Sequence, residues 1–382
     1  MNISLQSKLP DVKTSIFTVM THLCQKENAL NLSQGFPDFP SDTILIDLVY
    51  KAMKDGKNQY APMQGVFNLR KAIALKTERL YNVKYDPETE ITITAGATQA
   101  IFTALSAVVE KGDEVIIFKP AYDCYEPTIE LLGAIPVSIQ LDPEKFEIDF
   151  DELISKITSK TKLIIINTPH NPSGKLISKE AMLHLEKLLK ETNILLLSDE
   201  VYEHIVFDEK AHQSAARFPG LKERAFITAS FGKTFHNTGW KLGYCMAPKW
   251  LMKEFQKVHQ FNVFSVHHPS QVALATYLQD ENNYLKLSAF YQKKRDLFLN
   301  LIKDSRFEFE PSEGTYFQVL NYKKITLESD VKLAERLVKE YKIGSIPISA
   351  FNKEGLDTNV LRFCFAKTDE TLEKAAEILC KI

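Results

Sequence analysis

The chain has 382 residues, too many for one ordinary compact domain, and its length suggests two. Hydrophobic residues make up 45% and charged residues 25%, enough apolar surface for a sizeable core, while a formal net charge of −2 without a long block of like charge excludes the basic footprint of a nucleic-acid binder. The five cysteines are scattered and form no CxxC pair, which argues against a metal site and a disulfide framework; with no signal-peptide pattern and no apolar run long enough to span a bilayer, the expectation is a cytoplasmic protein without a membrane partner.

In chain order, the patterning predicts a strand at 91–94, a helix at 98–109, a strand at 114–118, a helix at 122–132 and a strand at 135–139. A short apolar strand at 162–166, a helix at 179–191 and a buried strand at 194–198 follow, and strands at 225–229 and 242–246 complete the set. Short β-rich apolar runs alternating with longer helical patterns imply βαβ units and a mostly parallel sheet flanked by helices, an α/β fold. From about residue 280 the pattern changes to long helices mixed with short strands. The expected division is therefore an N-terminal arm with part of a small domain at 1–45, a large domain at 46–280 and a small α+β C-terminal domain at 281–382. Sheets of this kind bind ligands at the carboxyl ends of their strands, and Gly96, Tyr122, Asn171, Asp199 and Ser230 all fall just after a predicted strand.

Five segments carry chemistry when read together. Ala229-Ser230-Phe231-Gly232-Lys233-Thr234 places a lysine after glycine in a strand-exit loop, where it can approach a flat ligand; taken alone, a surface lysine in a loop is the stronger reading. Its Gly-Lys-Thr is not a nucleotide phosphate loop, because that motif needs a glycine where Ile227 stands, and no GxGxxG follows a strand. Asp199 ends an apolar strand, which is costly unless a cation pairs with it, although an aspartate there also suits a helix N-cap. Asn167-Thr168-Pro169-His170-Asn171-Pro172 is a turn whose His170 has no partner at metal-ligand spacing. Ala95-Gly96-Ala97-Thr98 joins a strand to a helix start, where free N–H groups favour a phosphate. Arg362 interrupts an apolar strand, which suits either a planar anion or a structural ion pair.

In this order, together with Asn31-Leu32-Ser33-Gln34-Gly35-Phe36-Pro37 and Asn58-Gln59-Tyr60-Ala61-Pro62, these segments resemble the class I, fold type I, pyridoxal-phosphate aminotransferases over nearly the whole chain. Leu32 to Pro37, Asp123-Cys124-Tyr125-Glu126-Pro127 and Arg362-Phe363-Cys364-Phe365 resemble the methionine aminotransferases and the kynurenine aminotransferase and glutamine transaminase K group. The resemblance implies a large domain with a mostly parallel sheet plus a smaller α+β domain, pyridoxal 5'-phosphate as cofactor, and a ping-pong transfer of the amino group of methionine or an aromatic amino acid to a 2-oxo acid. The alternative on the same fold is kynurenine aminotransferase or cysteine-conjugate β-lyase activity.

Carried over by resemblance, Lys233 holds the cofactor as a Schiff base and shuttles the proton, Asp199 keeps the ring nitrogen protonated, and Tyr202 and Asn171 hydrogen-bond the phenolic oxygen. Tyr122 stacks on the ring, while Ala97, Thr98, Ser230 and Lys241 take the phosphate. Tyr60 reaches the phosphate of a neighbouring subunit, which implies a homodimer with shared active sites. Arg362 takes the α-carboxylate with Asn171 and the backbone of Gly35, and Phe17, Phe36, Tyr60, Tyr122 and Tyr316 are the expected wall residues. The family pattern also implies cis bonds at Lys119–Pro120 and Asn171–Pro172.

Overall fold

The strand segments are apolar on both faces, which in a sheet demands cover on both sides. The computed structural model describes residues 6–382, so the first five residues of the expected N-terminal arm lie outside the described residues. In chain order the strands are β1 (Leu30–Asn31), β2 (Ile91–Thr94), β3 (Glu114–Lys119), β4 (Ile135–Gln140), β5 (Thr161–Asn167), β6 (Leu195–Asp199), β7 (Ala225–Ser230), β8 (Gly243–Met246), β9 (Phe317–Asn321), β10 (Ile343–Gly344), β11 (Ile346–Pro347) and β12 (Val360–Cys364). A seven-stranded sheet runs in the order β2-β8-β7-β6-β5-β3-β4. Its neighbours are parallel, except that β8 runs antiparallel to both β2 and β7.

Alternation along each strand feeds two cores. Val115, Ile117, Leu163, Ile165 and Leu197 pack on one face with Ala100, Ile101 and Leu105 of the helix Ala97–Val108. Ile116, Ile164, Ile166, Leu196 and Ile227 point to the other, with Met182 and Leu185 of the helix Lys179–Leu189. That second helix starts where Ser178 caps it, its hydroxyl accepting from the Ala181 N–H. The sheet is therefore a rigid layer, and its carboxyl edge presents the ends of β3, β5, β6 and β7 side by side.

One expected element begins later than the patterning suggests. The helix at 122–132 is observed at Tyr125–Leu131. Pro127 explains the shift: it has no N–H to donate and is tolerated only in a first turn, so a helix containing it starts close before it. Tyr122 is thereby left in the loop after β3, and this loop position matters below.

Beyond the large sheet, β11, β12 and β9 form an antiparallel sheet with β12 in the centre. β1 pairs in parallel with β10, matching Leu30 to Ile343 and Asn31 to Gly344. The Leu32 N–H donates to the Gly344 carbonyl at 3.1 Å, and the Cys364 N–H donates to the Leu32 carbonyl at 2.9 Å. These bonds lay the segment after β1 across the C-terminal sheet, directly beside Arg362 of β12. The peptide bonds before Pro120 and Pro172 are cis, as expected, and so is the one before Pro169.

Candidate active site

At the carboxyl edge of the large sheet lies a cavity of about 290 Å³. Its floor carries Asp199, the last residue of β6, and Ser230, the last of β7. Ala97, Thr98 and Lys241 line one end, and Asn171, Gly35 and Arg362 the other, with Tyr122, Tyr202 and Lys233 between them. The expected residues of one subunit are thus brought together, with Tyr60 standing apart. Tyr60 is 81% exposed and packs edge-on against Phe264, centroids 5.4 Å apart, on an outer surface shared with Gln59 and His267.

Lys233 is placed by the end of β7. The Ser230 hydroxyl accepts from the Lys233 N–H and starts a single helical turn, Phe231–Thr234, that turns the lysine back over the sheet edge. Its Nζ donates to the Gly35 carbonyl at 3.0 Å. Burial lowers its pKa to about 8, with the positive charges of Arg362 and Lys241 adding to the effect against Cys364 and Asp199. At a pKa of about 8 roughly a tenth of this amine is neutral and nucleophilic at pH 7, far more than for an ordinary lysine.

Asp199 is buried at 3% exposure, and desolvation pushes its pKa up to about 6. Two donors oppose that rise. The Tyr125 hydroxyl donates to Oδ2 at 2.5 Å, and the Val201 N–H donates to Oδ1 at 3.4 Å. Among the described residues no lysine, arginine or histidine forms an ion pair with it. A buried carboxylate with neutral donors only is a position made for a cation.

Arg362 shows the reverse arrangement. Its side chain is fully buried, Nη1 donates to Asn171 Oδ1 at 2.8 Å, and Nη2 donates to the Ser33 carbonyl at 2.8 Å. Nε has no partner. The guanidinium carbon stands 3.9 Å from the Phe317 ring centre and 5.2 Å from that of Phe17, so apolar faces hold it flat. No carboxylate pairs with it among the described residues. A buried, flat cation with an unused N–H and only neutral partners fits a planar anion.

The opposite end has the features of a phosphate cup. Gly96 adopts φ +80°, open to glycine, and the helix Ala97–Val108 begins immediately after it, leaving its first N–H groups without helical acceptors. A Cβ on Gly96 would lie 3.4 Å from Lys241 Nζ, which locates that ammonium at the same helix start. Taken together, one cavity presents an anion site with N–H groups, Ser230 and an ammonium, an amine, a carboxylate awaiting a cation, and a guanidinium. Those features fit pyridoxal 5'-phosphate and an amino-acid carboxylate.

Two expectations about the walls need correction or extension. Tyr316 does not line the cavity; it is fully buried behind it, and its hydroxyl donates to the Gly35 carbonyl at 2.6 Å. Phe317, the next residue and the first of β9, faces the cavity instead. Gly35 rests on that ring: a Cβ there would meet it at 2.7 Å. Tyr125 was not singled out for chemistry in the sequence, yet it holds Asp199. Asn167 was likewise passed over, although its Nδ2 donates to the Asp199 carbonyl and its Oδ1 accepts from the Asn171 N–H at 2.8 Å. The available signals were the spacing of Tyr122 and Tyr125 and the polar end of an apolar strand at Asn167.

Residues 27–379 match the family model described as aminotransferase class I and II. Methionine aminotransferase of Escherichia coli (strain K12) is 46% identical over 375 residues, covering 98% of this chain and 97% of that protein. Kynurenine–oxoglutarate transaminase 3 of Homo sapiens is 35% identical over 403 residues, covering 97% and 89%. Among solved structures, an Escherichia coli protein whose crystal structure and reactivity identify a methionine aminotransferase function superposes with a TM-score of 0.98 at 45% identity over 100% of both chains. Thermus thermophilus aspartate aminotransferase with maleate superposes with a TM-score of 0.90 at 27% identity, again over 100% of both chains.

Proposed function

Because this chain belongs to the class I and II aminotransferases, we propose that it moves the amino group of methionine, or of an aromatic amino acid, to a 2-oxo acid. It is a pyridoxal-phosphate enzyme of fold type I. When bound, the cofactor supplies an aldehyde that takes up the amino group and a protonated ring that draws electrons from the substrate Cα.

The site as built supports the following residue roles. Lys233 Nζ, whose lowered proton affinity leaves more of it neutral than an ordinary lysine, would hold the cofactor through its aldehyde and would then carry the substrate Cα proton. Asp199 pairs with the ring nitrogen and keeps its proton in place. Asn171 Oδ1 is already committed to Arg362, so its Nδ2 is the group left to donate to the phenolic oxygen, beside the Tyr202 hydroxyl. Tyr122 covers the ring, and the N–H groups of Ala97 and Thr98, the Ser230 hydroxyl and Lys241 take the phosphate. Arg362 takes the α-carboxylate. The Gly35 carbonyl is occupied by Lys233 and Tyr316, so any help from Gly35 comes from its N–H.

The substrate class rests on one combination: a guanidinium that serves the α-carboxylate, and walls of Phe17, Phe36 and Phe317 around the remaining space. The nearby Lys367 does not line the cavity and spends its ammonium on the Phe36 carbonyl at 3.0 Å. Methionine sulfur against aromatic edges gains roughly 0.3–1.5 kcal/mol per contact. An unpaired side-chain carboxylate there loses several kcal/mol. The expected result is a kcat/KM for methionine above that for aspartate by roughly a hundredfold or more with the same oxo acid. If aspartate equals or exceeds methionine, the substrate reading is wrong.

The homodimer belongs to the same proposal. Ile46, Tyr50 and Met53 of the helix Thr43–Lys54 are exposed beside Trp240 and His267, and His267 also borders the surface that carries Tyr60. A contiguous apolar patch next to a cofactor-reaching tyrosine supports a second copy covering it. The division into 1–45, 46–280 and 281–382 and a cytoplasmic setting are further parts of this reading. Among the described residues, no helix is long and apolar enough to cross a membrane.

A further inference from the structure

His170 lies in the turn after β5 but does not line the cofactor cavity. It is buried at 7% exposure, and both ring nitrogens are engaged. Nε2 is 3.0 Å from the Pro120 carbonyl oxygen, and Nδ1 is 2.7 Å from Ser173 Oγ. A carbonyl only accepts, so Nε2 carries the hydrogen and Nδ1 accepts from the Ser173 hydroxyl. Burial lowers the imidazole pKa to about 4, so near neutral pH the ring is neutral and this tautomer persists.

The two loops that the imidazole joins each carry half of the site. On one side, the His170 N–H donates to the Lys175 carbonyl and the Gly174 N–H to the His170 carbonyl, fixing the turn that presents Asn171 to Arg362. On the other side, Pro120 opens the loop that presents Tyr122 over the cavity and leads to Tyr125, which holds Asp199. Behind them lies a second cavity of about 370 Å³, which His170 itself borders and which shares Tyr122 and Asn167 with the cofactor cavity. Across that space, the direct link between the turn and the Pro120 carbonyl is the imidazole.

Building on the aminotransferase reading, we propose that His170 is a positioning residue: a neutral strut that locks the carboxylate-binding loop of Asn171 to the ring-covering loop of Tyr122. Small displacements of either loop are costly, because misplacing a reacting group by about 1 Å costs on the order of a hundredfold in rate.

Three substitutions separate a strut from a space-filler. His170→Gln sets an amide N–H near the position of Nε2 and retains the bond to Pro120. His170→Asn reaches only the position of Nδ1, and His170→Phe keeps the bulk and loses both bonds. Two readouts apply: the dissociation constant of pyridoxal phosphate from the apo-protein, and the ratio of kcat/KM for methionine to that for 3-(methylthio)propylamine, which lacks the carboxylate. In His170→Phe, that ratio should fall by roughly ten- to a hundredfold and cofactor binding should weaken, with His170→Gln within about threefold of wild type on both. His170→Phe matching wild type on both readouts, or His170→Gln doing no better than His170→Asn, overturns the strut. If His170→Phe fails to fold, the Gln and Asn pair decides. A wild-type enzyme inactive on methionine overturns the substrate reading instead, and the cofactor-binding comparison still tests the strut.

Discussion

Replacing Tyr125 with phenylalanine removes one hydroxyl from a site whose proposed chemistry depends on the charge of Asp199. The groups facing that carboxylate are Tyr125, Tyr122 and Cys124 from the segment after β3, Glu200 and the Val201 N–H beyond β6, and Lys233 after β7. Tyr125 gives the short bond, 2.5 Å to Oδ2, and it favours the ionised form. A hydrogen bond to a charged group is worth roughly 1.5–3 kcal/mol. At about 1.4 kcal/mol per pH unit, its loss moves the carboxyl upward by one to two units, from about 6 to between about 7 and 8. The sign follows from the form that binds: a protonated ring nitrogen needs ionised Asp199, so affinity falls as pH drops through the pKa of the apo-protein. Titrating apo-protein with pyridoxal phosphate between pH 5 and 9, followed by absorbance, should show affinity declining below about pH 6 in wild type and one to two units higher in Tyr125→Phe. Equal midpoints in the two proteins would mean that the phenol does not set the carboxylate's proton affinity, and the reasoning fails.

Two further outcomes follow from the same electrostatics. Raising Asp199 from 3.8 to about 6 means that folded apo-protein binds this proton more tightly than the unfolded chain, so stability is lost as pH rises through that window; at neutral pH the cost is about 3 kcal/mol. Asp199→Asn should therefore raise the melting temperature of the apo-protein at pH 7.5 while abolishing turnover, with the gap closing toward pH 4; a gap independent of pH contradicts this origin. Lys233, lowered to about 8, should capture pyridoxal phosphate covalently with a rate that climbs with pH and levels off not far above 8, whereas an ordinary lysine would keep climbing past 10; stopped-flow absorbance against pH distinguishes the two.

The parallel sheet was legible because its strands are apolar on both faces and the chain alternates them with helices. Most of the residues that meet at its carboxyl edge were legible for a similar reason: Asp199 and Arg362 are charged where the pattern demands apolar side chains, so their presence needs a ligand or a partner. Neutral supporting residues leave no such signature. Tyr125, Asn167 and Phe317 are ordinary residue types for the first turn of a helix, a strand end and a core strand, and only their distances to Asp199, Asn171 and Arg362 reveal what they do. Tyr316 was misplaced for a geometric reason. Its phenol serves the Gly35 carbonyl from behind, and the next residue, Phe317 at the start of β9, takes the wall position instead. The late start of the helix at Tyr125 was recoverable from Pro127, whose missing N–H confines it to a first turn.

The charges around the cavity also explain why so much neutral support is needed. Lys233, Lys241 and Arg362 are cationic and Asp199 is anionic, and among the described residues none of the four is joined to another in an ion pair. Close pairing would lower the cost of burying them but would leave nothing for a ligand to neutralise. In the roles proposed above, separation keeps Lys241 for a phosphate, Arg362 for a carboxylate and Asp199 for a protonated ring, while burial leaves Lys233 with a depressed proton affinity. Holding unpaired charges apart requires fixed neutral dipoles, and these are what the site contains: Tyr125 on Asp199, Asn171 and the Ser33 carbonyl on Arg362, and the Gly35 carbonyl on Lys233. His170 and Asn167 then brace the loops that carry those dipoles. The residues that bear charge set which ligand enters, while the uncharged ones set how accurately it is held, and accurate placement of reacting groups is where much of a rate enhancement originates.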